Sequence, residues 1–433
     1  MEKKFPVAII GGGPVGLAAA AHLVERKEDF ILFESGNQVG TSFLQYGNVR
    51  LFSPWEYNIN SAAKILLEQQ HIPLPDKDLL PLGKEIVTEY LQPLATLPEM
   101  KESIHYNSQV INISRKGFDK VRTNGRDNAP FVITVKENGS IQNYEARAVI
   151  DATGTWENPN SIVNGIDEQK EAPISYGLPD ILHEERHKYE NKHVAVVGSG
   201  HSAINTLLDL AELKRSAPET NITWIIRKEN ITSALGGGTL DQLPARGELG
   251  IRLSTYLQKE LINVYTETYI SSYEVNTQKK TLLNGVRKGQ NIKIENIDEI
   301  IANTGAHPNF DFLRNIRFTF DSTLESVKDL ATLIDPNIHS CGTVRPHGEK
   351  ELRQPEKDFY IIGAKSYGRA PTFLMATGYE QARSVTAFLC GDIEAAKRVE
   401  LKLPETGVCS VTPPNSTKFP IQIENNCCSD NTC

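Results

Sequence analysis

The sequence predicts an α/β protein with two dinucleotide-binding domains, one inserted into the other. Two glycine-rich turns, each set between an apolar strand and a helix, point to this, at VAIIGGGPVGLAAAAHLV and at HVAVVGSGHSA. A pair of matched strand ends supports it, Asp151-Ala152-Thr153-Gly154 and Ala302-Asn303-Thr304-Gly305.

The length of 433 residues accommodates two or three domains at roughly 100 to 200 residues each. A hydrophobic fraction of 39% is ordinary for a globular chain, and a net charge of −8 gives no footing for nucleic acid or an anionic membrane. MEKKFP followed by an apolar segment imitates an export signal, but three adjacent glycines and a proline fit a membrane helix poorly. The expectation is therefore no signal peptide, no membrane span and a cytoplasmic location. The pentapeptide Leu403 to Gly407, LPETG, looks like a sorting signal, yet VCSVTPPNSTK follows it with no apolar anchor, so the match is read as chance.

In the first turn each residue type has a task. Gly11 permits the tight turn, Gly13 lets the backbone approach a pyrophosphate, and Gly16 allows close packing of helix on strand. The helix N-terminus offers unpaired N–H groups to phosphate. The next strand, Phe30 to Phe33, ends on Glu34, 18 residues past Gly16, where an acid binds ribose hydroxyls.

The second turn runs Gly198, Gly200, Ser202, Ala203, with alanine for the third glycine, which this fingerprint tolerates. Its following strand ends on Arg227 and Lys228 instead of an acid. That exchange favours a 2'-phosphate and hence NADPH, the alternative being a solvated strand end. A protein that binds two dinucleotides passes a hydride between them. The two Thr-Gly strand ends read as the points where the chain enters and leaves the inserted domain.

These motifs resemble the two-dinucleotide-binding-domain flavoproteins, over about residues 5 to 400. The resemblance implies a FAD-binding Rossmann-like domain (1–160 and 311–405) with an inserted NAD(P)H-binding Rossmann-like domain (190–310). It places FAD at Gly11, Gly13, Gly16 and Glu34 with Thr153 and Gly154 nearby, and NADPH at Gly198, Gly200, Ser202, Ala203, Arg227 and Lys228. Where such folds commonly have a Gly-Asp pair on the flavin, this chain has Gly363-Ala364-Lys365, making Gly363 and Lys365 further cofactor candidates. Disulfide reductases of this type carry a C-x4-C or C-x-x-C pair inside the folded domains. Here the folded part has only Cys341 and Cys390. The flavin-containing monooxygenase branch needs no dithiol, although its F-x-G-x-x-x-H element is unmatched in ISYGLPDILHEERHKY. YGLPDILHEERHKYENKHVAVVGSGHSA, GGGTLDQLPARGELG, LIDPNIHSCGTVRPHG and AKSYGRAPTFLMATGYEQARS resemble a bacterial set of flavin-dependent monooxygenases often encoded among arsenic-resistance genes.

The segment HSCGTVRPHGE offers Cys341 and His347 as candidates for handling substrate, against the alternative of a buried loop with satisfied polar groups. Ala370 to Tyr379 is expected to begin a helix aimed at the flavin. Trp55 is read as a ring wall or as core, and Asp241 with Arg246 as beside the nicotinamide or as a surface ion pair. Four of the six cysteines fall in the last 25 residues, a stretch (408–433) expected to be a flexible arm. There Cys427, Cys428 and Cys433 place three soft donors within reach of one thiophilic ion such as trivalent arsenic.

The combined expectation is an NADPH-dependent FAD monooxygenase that uses O2 on a small soft nucleophile, inorganic or methylated trivalent arsenic being the candidate. Two alternatives stay open: a thiol, disulfide or metal reductase using the terminal cysteines, and a metalloid-binding or redox-sensing flavoprotein without turnover. The sequence leaves the oligomeric state open.

Overall fold

In the computed structural model, the described residues are 5–163, 172–236, 238–241, 243–338 and 344–401. Among these residues sixteen strands form four sheets. In chain order they are β1 (Val7–Ile10), β2 (Phe30–Phe33), β3 (Ile104–His105), β4 (Ser108–Arg115), β5 (Phe131–Glu137), β6 (Ser140–Ala146), β7 (Ala148–Asp151) and β8 (Ile174–Tyr176). They continue with β9 (His193–Val197), β10 (Asn221–Ile225), β11 (Asn263–Tyr265), β12 (Thr268–Val275), β13 (Thr281–Arg287), β14 (Gln290–Ile297), β15 (Glu299–Ala302) and β16 (Phe359–Ile361).

The first parallel sheet has the order β16-β7-β1-β2-β3, and the second β11-β10-β9-β15-β8. Their central strands are short apolar runs such as VAII and AVID, buried at every position. That is the pattern a parallel sheet needs when both faces are covered. Ala18 to Ala21 of the helix Pro14–Glu25 are wholly buried, so small side chains let this helix sit close to its neighbours on every side. The two sheets repeat one plan. A strand, a glycine turn and a helix lead to the neighbour on one side (β1 to β2, β9 to β10), while the strand on the other side, β7 or β15, arrives from a distant part of the chain. The reversal of strand order between β1 and β7, and between β9 and β15, creates a crevice at each carboxyl edge where dinucleotides bind.

Two antiparallel sheets, β4-β5-β6 and β12-β13-β14, complete the chain and carry no expected site residue. The connection between the halves is doubled. Pro159 bridges Ala306 in antiparallel fashion, Asn160 N donates to Gly305 O (2.9 Å), and the Arg369 guanidinium donates to Asn160 Oδ1 (2.7 Å).

A buried triad fixes the return of the chain to the first sheet. The Glu356 carboxylate accepts from Arg115 Nε (2.9 Å) and Arg126 Nη2 (2.7 Å), all three side chains being about 1% exposed. Arg317 N donates to the same carboxylate at 2.9 Å. Removing one partner of such a cluster strands buried charge. Glu356→Ala is therefore predicted to cost about 3–5 kcal/mol, read from the denaturant midpoint. A midpoint equal to wild type would contradict the role of the triad.

Candidate functional site

Gly11 follows β1 with φ +103°, and a Cβ there would stand 2.7 Å from Ala152 O at the end of β7. Gly16 is tighter, its added Cβ lying 2.0 Å from Gly11 O, so the helix rests directly on the turn. Gly13 differs: nothing lies within 4 Å of its added Cβ, so the space there opens outward. Gly13 caps the helix Pro14–Glu25 without a side-chain hydrogen bond, and the first turn holds no acid. Leu17 N is the first N–H of this turn to find an acceptor, Gly13 O at 3.0 Å. The N–H groups of Val15 and Gly16 are left to an anion.

Glu34 departs in part from its expected role. Its carboxylate accepts from Gly12 N and from Gly36 N, each at 2.7 Å, and thereby ties the glycine turn to the end of β2. Burial pushes its carboxyl above the ordinary range, opposed by these two backbone donors. A carboxylate offers about four acceptor positions, so lone pairs remain for ribose hydroxyls. The open floor at Gly13, the uncapped helix and the acid at the strand end fit a dinucleotide.

The second turn repeats the construction. Gly198 has φ +134°, and its added Cβ would stand 2.1 Å from Asn303 O at the end of β15, whereas Gly200 is open. Gly200 caps the helix His201–Ser216, again with no side-chain cap and no acid in the first turn. Trp224, fully buried, donates its indole N–H to Gly198 O (2.7 Å) and holds the turn from below. Asn303 accepts from Thr206 Oγ1 (3.0 Å) and donates to Gly177 O (2.6 Å), locking the neighbouring strand end. Ser202 is half-buried, Ala203 is buried, and Arg227 and Lys228 stand exposed just past β10.

The two domains touch beside the second turn. Phe52 of the first domain packs on the His201 ring (5.2 Å between centroids) and lies under the Arg246 guanidinium (5.9 Å). Ser53, Tyr57 and Asn58 form one wall of the adjoining cleft, Leu243 another, and Leu374, Met375 and Ala376 a third. Gly378, one turn into the helix Met375–Leu389, sits against Val15 of the first glycine turn. The cleft is thus linked to the first glycine turn through the helix Met375–Leu389 and to the second through Phe52 and His201, although neither turn lines it. Arg246 is held by Asp241 through two hydrogen bonds of 2.7 and 2.8 Å, both side chains buried, so this pair is structural within the junction and not a surface pair. Phe52 carries no motif, and Leu243 sits within GGGTLDQLPARGELG with no chemistry of its own to mark it.

Other candidates land differently. His347 is 3% exposed, with Nδ1 against Arg345 O (3.2 Å) and Nε2 against Gln381 Nε2 (2.9 Å). The proton therefore sits on Nδ1 and the ring is a supporting group, not a catalytic one, because both nitrogens are taken inside the core. Gln381 in turn accepts from Gly363 N (2.7 Å), with Gly363 at φ +73° against Val15. Lys365 is 0% exposed and cannot touch a cofactor; its ammonium binds Asp151 and Thr153 instead. Thr153 lies just past the end of β7 beside Gly11, and Gly154 (φ +68°) follows it with open space around an added Cβ. Trp55 is core at 2% exposure. The helix expected from Ala370 begins at Met375, since Pro371 to Leu374 form its approach. Cys341, Cys427, Cys428 and Cys433 lie outside the described residues. Among the described residues no cluster of His, Cys, Asp and Glu is arranged to hold a metal, and no helix is long and apolar enough to cross a membrane.

The sequence matches the family described as pyridine nucleotide-disulphide oxidoreductase over residues 8–332. The chain belongs to that family. Within this oxidoreductase family it is 27% identical to a ferredoxin--NADP reductase of Pediococcus pentosaceus, over 50% of this chain and 53% of that protein. The chain thus spans about half the length of that curated relative. In fold it is similar to bacillithiol disulfide reductase Bdr of Bacillus cereus (TM-score 0.65, 19% identity, 90% of this chain and 99% of that one). It is also similar to DfoA, a cadaverine monooxygenase of Erwinia amylovora solved with FAD (TM-score 0.63, 14% identity, 93% and 97%). Reductases and monooxygenases thus share this family member's architecture.

Two predictions follow from the turns. Gly200→Ala adds a methyl into open space, so the protein should keep its melting temperature yet lose pyridine-nucleotide affinity, whereas Gly198→Ala should destabilise the fold itself. Equal effects of the two substitutions on stability, measured by thermal melting, would contradict the construction.

The second concerns His201, whose pKa is lowered from 6.5 to about 4, chiefly by burial, with Arg246 adding to it. Between those values the unfolded chain binds the extra proton, so stability should fall as pH drops through that window. His201→Asn should flatten this slope in urea titrations run from pH 7 to pH 4.

Proposed function

We propose that this chain is an NADPH-dependent flavoprotein oxidoreductase, with FAD on the first glycine turn and NADPH on the second. The supporting observation is the pair of like-built glycine turns, each with an uncapped helix start and an open floor at Gly13 or Gly200. Bound there, a nicotinamide supplies a hydride to a flavin, and the reduced ring supplies electrons to an acceptor. The chain's own contribution is placement. The N–H groups of Val15 and Gly16 take one pyrophosphate, Glu34 takes ribose hydroxyls, and Thr153 and Gly154 flank the flavin. The N–H groups of Ser202 and Ala203 take the second pyrophosphate, and Arg227 with Lys228 takes the 2'-phosphate. The helix Met375–Leu389 has no side-chain cap and no acid in its first turn, so its positive end favours negative charge beside the cleft.

Of the possible acceptors, we favour O2, with oxygen transferred to a small soft nucleophile. Among the described residues the only cysteine is Cys390, at the far end of the helix Met375–Leu389. Fifteen residues at 1.5 Å each put it about 22 Å from the cleft. No dithiol among the described residues borders the cleft. Trivalent inorganic or methylated arsenic is the substrate suggested by the sequence resemblance and by soft thiol donors at Cys427, Cys428 and Cys433. The family description favours one rival, a disulfide reductase working through Cys428 and Cys433.

The test is NADPH-dependent O2 uptake by the purified protein, with and without trivalent methylarsenic, on wild type and on C428S/C433S. Arsenic-stimulated O2 uptake supports the monooxygenase. Disulfide reduction without O2, lost in the double variant, establishes the rival, and NADPH oxidation indifferent to arsenic removes the arsenic assignment. Arg227→Ser should raise the KM for NADPH about tenfold, one charge-assisted contact, and leave that for NADH unchanged. A parallel rise for both nucleotides would remove Arg227 from the phosphate site.

A further inference from the structure

The ion pair between Lys365 and Asp151 is wholly enclosed, both side chains being 0% exposed, with Nζ 2.6 Å from Asp151 Oδ2. Nζ also lies 3.2 Å from Thr153 Oγ1. The rings of Phe312 (4.4 Å to the centroid) and Phe310 (5.4 Å) stand over the ammonium. The other oxygen of Asp151 accepts from Thr153 N (3.1 Å) and from Thr153 Oγ1 (2.8 Å). One carboxylate thus folds the turn 151–154 on itself, and one ammonium holds that carboxylate. The same turn supplies the carbonyl of Ala152 and the Cα of Thr153 against which Gly11 is packed, 2.7 and 3.2 Å from an added Cβ.

Stability alone gives a weak reason for this pair. Burying two charges costs several kcal/mol each, and well-packed apolar residues in their place are often neutral or stabilising. What apolar residues cannot do is anchor the carboxylate whose other oxygen accepts from Thr153. We propose that Lys365 is a positioning residue for the first dinucleotide site: it anchors the Asp151 carboxylate, and through Asp151 and Thr153 it sets the turn that flanks the flavin, without touching the cofactor. This rests on the reading that the first site takes FAD.

The experiment compares Lys365→Met, Asp151→Asn and the double variant, each stripped of cofactor and titrated with FAD, with the melting temperature of the apoprotein and the visible spectrum of the bound flavin as further readouts. Lys365→Met should lower FAD affinity by at least about tenfold and also lower the melting temperature. In the double variant no buried charge is left unpaired. Its melting temperature should return towards wild type, while affinity stays about tenfold weak and the flavin spectrum stays shifted. If Lys365→Met does not fold, the double variant alone decides. Wild-type FAD affinity in folded Lys365→Met, or recovery of affinity together with stability in the double variant, would overturn the inference and leave the first site's assignment standing. A wild-type chain that takes up no FAD would overturn both.

Discussion

At Gly11 and Gly198 the main chain turns with φ of +103° and +134°, close enough to the next strand end that an added Cβ would lie 2.7 Å from Ala152 O and 2.1 Å from Asn303 O. This lack of room is the constraint on which both candidate sites depend. It brings the start of each helix against the carboxyl edge of its sheet, where the uncapped N–H groups face an open floor at Gly13 or Gly200. It also makes β7 and β15 part of the sites, although they lie about a hundred residues or more from their glycine turns. A side chain at either glycine would separate turn from strand, and the helix end would no longer aim at the crevice.

Around this constraint the polar groups divide into those that fix backbone and those left open. Glu34, Asn303, Trp224, Gln381 and the Lys365–Asp151 pair all spend hydrogen bonds on holding a turn or a strand end. Among the described residues the helix N-termini and Arg227 are left without such partners. Rigid support behind unsatisfied donors is the arrangement expected of a preorganised anion site, because the cost of ordering is met on folding and not on binding. The junction follows the same logic, with Phe52 seated on His201 and the Asp241–Arg246 pair closed on itself, leaving the cleft wall to Leu243, Leu374 and Met375.

The glycine turns, their flanking strands, Glu34 at a strand end and the two Thr-Gly strand ends were legible in the sequence because each depends on neighbours within about thirty residues. Contacts across long separations were not. Lys365 and Asp151 are 214 positions apart, so a lysine after Gly363 read as a cofactor contact when it is a buried support. His347 read as a substrate group for the same reason, its partner Gln381 lying on a helix whose packing no spacing reveals. The helix at Met375 starts later than expected because Pro371 to Leu374 belong to the approach and not to the helix. The antiparallel sheets passed unnoticed because their residues alternate in burial without any chemical motif.

If FAD and NADPH occupy the two glycine turns, a hydride passes between them within one chain. An anaerobic titration of the purified, FAD-loaded protein with NADPH, following the visible flavin band, tests it most directly. The band should bleach in proportion to added NADPH and reach its endpoint near one equivalent. An oxidised flavin band that persists in excess NADPH, in protein that binds both nucleotides, would contradict it.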